Sequence, residues 1–234
     1  MDIIKKLAQE LAIKEEQAKA AVQLIDEGNT IPFIARYRKE MTGALNDETL
    51  RNLHERLLYL RNLEEKKEQV INAITDQGKM TEDLKKKILS AETLVAVDDL
   101  YRPYRPKKQT RATKAKEKGL EPLANILLLQ KTTKSMEEEA AAFVNAEKGV
   151  ANAKEAIAGA KDIIAEMIAD MADYRKSIRN CTMKQGSLVV KAKDEKAESV
   201  YEMYYDFREP LSKVTGYRVL AINRGEKEKF LTVK

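Results

Sequence analysis

Residues 46–78, NDETLRNLHERLLYLRNLEEKKEQVINAITDQG, read as one unbroken helix. Asn46 is a natural N-cap, Asp47 and Glu48 lie where the helix dipole is positive, and Gly78 stops the run. Leu50, Leu53, Leu57 and Leu60, then Val70, Ile71 and Ile74, keep one face apolar at helical spacing. About 30 residues at 1.5 Å per residue span ~45 Å, more than a small compact domain needs. The segment is therefore expected to act as a spine linking two lobes.

Upstream, Ile3, Ile4, Leu7 and Leu11 recur at helical spacing, and a second helix runs from about Lys14 to Glu27 with Val22, Leu24 and Ile25 inward. Gly28 ends it. Thr30 then caps a third helix, Ile31 to Arg38, with Pro32 in its first turn, where the missing N–H costs nothing. Phe33, Ile34 and Tyr37 share a helical spacing and are assigned to the core. Two helices joined this tightly give a helix-turn-helix-like arrangement, in which Arg36, Arg38 and Lys39 would face a groove. Tight helical turns also occur in modules that contact only protein. The chain is divided after Gly78, into a helical domain 1–78 and a second helical region 79–234.

Downstream, Thr81 to Leu89 and Thr93 to Leu100 are short helices, and Leu120 to Gln130 is apolar and helical. From Met136 to Lys184 the chain is alanine-rich, with twelve Ala between Ala140 and Ala172. Small side chains let helices approach closely, and Ile157, Ile164, Met167, Ile168 and Met171 are expected to supply the inward stripe. The first β signal is SLVVKAK at Ser187 to Lys193; a helix from Tyr217 and a strand FLTVK end the sequence. The strand running into the terminus is expected of a fragment. The fold class is mainly α, with little β near the C-terminus.

Between these segments lies Tyr101 to Lys118, YRPYRPKKQTRATKAKEK, which carries eight basic residues against the single acid Glu117. That is +7 in a chain of net charge +5, so the remainder sums to −2 and the basicity is local. Pro103 and Pro106 exclude helix around Arg102 to Arg105 and predict an extended first half. From Arg111 to Lys118 the residues read as a helix stopped by Gly119. Arginines near tyrosines combine phosphate contacts with base stacking. The candidate nucleic-acid contacts are Tyr101, Arg102, Tyr104, Arg105, Lys107, Lys108, Arg111 and Lys114, with Arg36, Arg38 and Lys39 as a second group. The competing reading is a solvated basic face whose arginines pair with Asp98, Asp99 and other acids.

Bulk composition narrows the classes. The chain has 234 residues, 35% charged and 6% aromatic, with one cysteine, Cys181. An intramolecular disulfide and a thiolate-rich zinc site are excluded. No apolar run approaches the ~20 residues of a membrane helix, and the first residues lack a signal-peptide core. The expected compartment is the reducing cytosol, with no membrane association.

Catalysis has little to work with. His54 is the sole histidine and shares a face with leucines, so it reads as a boundary residue. Asp98 and Asp99 point about 100° apart on a helix and suit capping or ion pairing. Glu137 to Glu139 match a helix dipole. The glycines are isolated stops rather than a phosphate loop. No catalytic residue, metal ligand or cofactor is assigned, and the chain is expected to be non-enzymatic.

Three blocks carry a family resemblance: IPFIARYRKEMTGALNDETLRNL at Ile31 to Leu53, DDLYRPYRPKKQTRATKAKEKGLEPLA at Asp98 to Ala124, and YEMYYDFREPLSKV with RVLAINRGEKE between Tyr201 and Glu228. Together they resemble the N-terminal half of Tex, a bacterial transcriptional accessory family with a eukaryotic elongation-factor relative. Tyr217 departs from the pattern, where histidine is expected. The resemblance implies an elongated, mainly helical protein with a helix-turn-helix-like start and a long central helix. It also implies truncation before a YqgF/RNase H-like domain, helix-hairpin-helix elements and an OB-fold RNA-binding module. The implied partners are RNA or DNA without sequence preference, and transcription machinery. Because the family's nucleic-acid contacts lie in that OB-fold module, no binding residue carries over.

Overall fold

The computed structural model describes residues 2–234 and separates into two compact units, one ending at Lys107 and the other running from Lys108 to Lys234. The protein is mainly α-helical.

In the first unit, α1 (Ile3–Leu11), α2 (Glu15–Asp26) and α3 (Ile31–Tyr37) pack on the N-terminal part of α4 (Asp47–Asp76). The Asn46 side chain accepts from the Thr49 N–H at 2.7 Å, the expected cap. Leu50, Leu53, Leu57 and Leu60 of α4 close over Leu7, Leu24 and Ile34. Two bidentate ion pairs join the short helices to α4: Arg56 donates to Glu10 at 2.5 and 2.8 Å, and Arg61 to Asp26 at 2.7 Å twice. The C-terminal part of α4 carries a second cluster with α5 (Glu82–Ser90) and α6 (Leu94–Tyr101). Ile88, Ala91 and Val97 bury against Leu63, Val70 and Ile74. This packing is why the first unit extends past Gly78, where the sequence reading divides the chain: α5 and α6 have their apolar faces on α4.

The arginine pairs make a pH prediction. The Arg56 hydrogen bond holds the Glu10 carboxyl below its ordinary value, and the Arg61 hydrogen bond does the same for Asp26. A carboxyl lowered in the folded state stabilises fully above its unfolded value, about 4, and that contribution is lost as pH falls through the folded value. Both pairs are partly solvated, so the effect is modest. The double variant Glu10→Gln/Asp26→Asn should show a flatter dependence of denaturation midpoint on pH between 5 and 2 than the parent. An identical slope would overturn the assignment.

In the second unit, α7 (Arg111–Glu117), α8 (Glu121–Leu129) and α9 (Met136–Ala141) pack on α10 (Ala153–Asp170). Ala112, Ala115, Leu120, Leu123, Ala156, Ile157, Ala160 and Ile163 form this core. The expected inward stripe continues only that far: Met167, Ile168 and Met171 are exposed, because α7 to α9 cover only the first part of α10. No residue of the following α11 (Ala172–Gln185) is buried. A three-stranded antiparallel sheet follows, in the order β2 (Asp206–Pro210), β1 (Ser187–Ala192), β3 (Leu231–Val233). Val190 faces both Phe207 and Val233 and packs with Tyr201, Tyr204, Leu231 and Ile222 of α12 (Gly216–Lys227). No helix among the described residues is long and apolar enough to cross a membrane.

Candidate nucleic-acid interface

The basic stretch is divided between the units. In the first, α6 runs into a 3-10 turn at Arg102–Tyr104. The expected extended backbone is therefore corrected at Arg102, whose φ of −51° and ψ of −42° are helical. Pro103 sits in the first turn of the 3-10 element, where no N–H is needed. Only at Arg105, before Pro106, does the chain become extended. Tyr101 and Tyr104 are partly buried against the α4–α6 cluster, and Gln77 donates to the Tyr104 carbonyl at 3.0 Å. Their rings act first as packing. Arg102 and Lys107 are exposed, yet each makes an intramolecular interaction. Arg105 is exposed, and among the described residues its side chain has no ionic or hydrogen-bond partner.

In the second unit, Thr110 caps α7 by accepting from the Thr113 N–H at 3.0 Å, and its hydroxyl donates to Glu166 at 3.0 Å. The helix orients Arg111, Lys114 and Lys118 along a shallow groove against α10, with Gly159 in its wall. The opposite side carries Glu155 and Asp162. Arg111 lies 3.7 Å from Asp162 while 87% of its side chain stays exposed. Lys118 donates to the Gly149 carbonyl at 2.7 Å, and Lys116 lies 3.5 Å from Glu121. Lys108 and Lys114 are exposed with no partner among the described residues. The raw charge of +7 thus overstates what is available to a ligand.

Arg36, Arg38 and Lys39, the second candidate group, are exposed at the end of α3 and in the turn after it. None has an ionic partner among the described residues. Here the structure corrects the core assignment: Ile34 alone of the helix is buried, whereas Phe33 is 36% and Tyr37 65% exposed. A seven-residue helix resting on its neighbours through one contact stripe has no second covered face.

Other expected roles fall into place around these groups. His54 is half-buried on α4. Asp98 lies 3.5 Å from Lys66 of α4, and Asp99 is buried with an intramolecular partner. Glu138 closes a capping box with Ser135 at the start of α9. Cys181 is exposed and its thiol sits 3.7 Å from Gln185. Tyr217, the departure from the family pattern, is exposed beside Arg218.

A buried lysine escaped the sequence reading. Lys67 is only 2% exposed and donates to Glu64 at 2.8 Å and to the Leu89 carbonyl at 2.9 Å. Its signal was its position, four after Leu63 and three before Val70, in the apolar register of α4.

Comparison with known proteins places both halves. The Tex-like protein N-terminal domain matches residues 1–75, and the Tex central region-like segment matches residues 131–234. The basic stretch falls between the two matched segments, whereas α3 lies within the first. The chain is 44% identical over 230 residues to the uncharacterized protein YdcI of Bacillus subtilis, covering 97% of this chain and 32% of that protein. It is 41% identical over 236 residues to the transcriptional accessory protein Tex of Neisseria gonorrhoeae, covering 100% of this chain and 31% of that one. It is 32% identical over 243 residues to the S1 RNA-binding domain-containing protein 1 of Homo sapiens, covering 100% of this chain and 24% of that one. The chain thus spans about a quarter to a third of the length of these relatives. With both characteristic regions present in one chain and such relatives along its whole length, this protein belongs to the Tex-like family.

Proposed function

We propose that the protein is a non-enzymatic, nucleic-acid-associated module of a cytoplasmic transcription accessory factor. It contacts RNA or DNA without sequence preference through the basic stretch 101–118. One observation carries this reading: among the described residues, Arg105, Lys108 and Lys114 remain exposed and without side-chain partners after the fold has engaged the other cations of the stretch. Relatives named for transcription accessory function and for S1 RNA binding support the class of partner. Tyr101 and Tyr104, packed on α4, hold the arginine-bearing turn in place more than they offer faces for stacking.

The test is a salt series with single-stranded RNA and duplex DNA. Neutralising about three phosphates gives a slope of log K against log salt near −2 for single strands. The triple variant Arg105→Glu/Lys108→Glu/Lys114→Glu should lose most affinity at low salt and flatten that slope. Unchanged binding would overturn the assignment.

A second reading has its own support. Arg111 beside Asp162 and Lys118 on the Gly149 carbonyl show part of the stretch serving the fold. In this reading the helices are a scaffold that positions further nucleic-acid-binding domains and contacts transcription machinery. It expects the same charge reversals to leave nucleic-acid affinity intact.

A further inference from the structure

Helix α3 and the turn after it turn rings and cations outward. The Phe33 and Tyr37 ring centroids are 5.2 Å apart with planes at 46°, and the Arg38 guanidinium lies 5.1 Å from the centre of the Phe33 ring. Met41 is exposed beside them. Residues Arg36 to Met41 line one concave wall with three cations and a single acid, Glu40. Neighbouring aromatic faces left in water forgo the stabilisation that burial would bring.

The turn is also held rigidly. Thr42 is fully buried, and its hydroxyl bonds the carbonyls of Arg38 at 3.3 Å and Lys39 at 3.4 Å. Gln17 of α2 reaches across to donate to the carbonyls of Thr42 at 3.2 Å and Gly43 at 3.0 Å. Gly43 has a φ of +59°, and a Cβ there would sit 2.7 Å from the Gln17 amide nitrogen. The Ala44 N–H closes the loop on the Lys39 carbonyl at 2.8 Å. Ordering cost at binding is small when the receptor is already fixed.

A partner for this surface needs flat apolar faces and negative charge in alternation. Single-stranded nucleic acid supplies both, since its bases stack on aromatic rings while its phosphates meet Lys and Arg. A duplex hides its base faces and offers only phosphates and groove edges. Charge complementarity disfavours an apolar protein helix, because the concave wall is largely cationic.

We infer that α3 and its turn form a stacking platform for single-stranded nucleic acid, with Phe33 and Tyr37 holding bases and Arg36, Arg38 and Lys39 holding the adjoining phosphates. The inference rests on the reading that this module meets nucleic acid, but it uses residues separate from the basic stretch.

The experiment compares a short oligouridylate, an abasic strand of equal length and a duplex, at low salt, against the full chain. The parent should favour oligouridylate over the abasic strand. Phe33→Ala/Tyr37→Ala should weaken oligouridylate binding roughly ten- to hundredfold and leave abasic-strand binding unchanged, while Tyr37→Phe keeps the affinity. Both rings are exposed, so helical circular dichroism should be retained in all three proteins. Equal loss on both strands, or no loss on either, would overturn the platform. If the ring variant retains affinity while the Arg105/Lys108/Lys114 variant loses it, the platform fails and the basic stretch stands. The reverse pattern upholds the platform and removes the stretch. Absence of binding to every strand, with binding of an acidic peptide instead, overturns both in favour of a protein partner.

Discussion

Lys67→Glu is expected to unfold much of the first unit. The ammonium sits in the apolar register of α4, 2% exposed, bonded to Glu64 and to the carbonyl of Leu89 in the last turn of α5. That carbonyl is one of the groups a helix C-terminus leaves without an internal partner, and a cation there also suits the dipole. A carboxylate in its place faces a carbonyl oxygen and another carboxylate at a site that is only 2% exposed. Breaking a buried pair in this way costs about 3–5 kcal/mol, a large share of an ordinary domain's stability. Lys67→Met keeps the aliphatic stem and loses only the two hydrogen bonds, so a smaller cost of about 1–2 kcal/mol is expected. Urea denaturation followed by circular dichroism, with hydrogen exchange localising the loss to α4 and α5, checks the order. Equal stability of the Glu and Met variants would refute the buried role.

Gly159→Leu should have a comparable effect in the second unit. Alanine normally favours a helix interior over glycine by about 1 kcal/mol, so glycine in the middle of α10 needs a reason. The reason is close packing: a Cβ at this position would lie 2.4 Å from Cδ1 of buried Leu120 and 3.3 Å from Cβ of Ala115. Leucine there pushes α7 and the start of α8 off α10, at a cost of about 3 kcal/mol or more. Because α7 carries Arg111 and Lys114, the same change should disturb the groove they line. Gly159→Ala is milder, and adding Leu120→Ala should recover part of its loss, with a coupling of about 1 kcal/mol in a double-mutant cycle. Strict additivity of the two changes would show that the contact does not limit the packing.

The helices were legible because their signals are local. Asn46, Thr81, Thr93 and Thr110 each accept a backbone N–H at the start of a helix, and Gly28, Gly78 and Gly119 adopt positive φ at the ends. The same locality misled at Arg102, where proline spacing pointed to extended backbone but the turn continues α6 as a 3-10 element. β2 left little signal, since DFREP has one aromatic and ends in proline; it exists because β1 offers it an edge. Charge was legible as composition and misleading as availability. The eight cations of residues 101–118 differ in what they touch, and sequence proximity to Asp98 did not reveal that Lys66 claims it.

What residues i to i+4 decide among themselves could be read directly: helix limits, the apolar face of α4 and the local excess of positive charge; the family was read from longer motifs. Burial depends on which element covers which face. Tertiary packing therefore decided that Phe33 and Tyr37 face outward while Tyr101 and Tyr104 turn in, and that Lys67 is buried while Met167, Ile168 and Met171 are not. An aromatic ring at helical spacing carries the same local signal whether its partner helix is long enough to reach it or ends one turn short. Which neighbour covers a ring is a property of the assembled fold, and for this protein it separates the packed Tyr101 and Tyr104 from the exposed Phe33 and Tyr37.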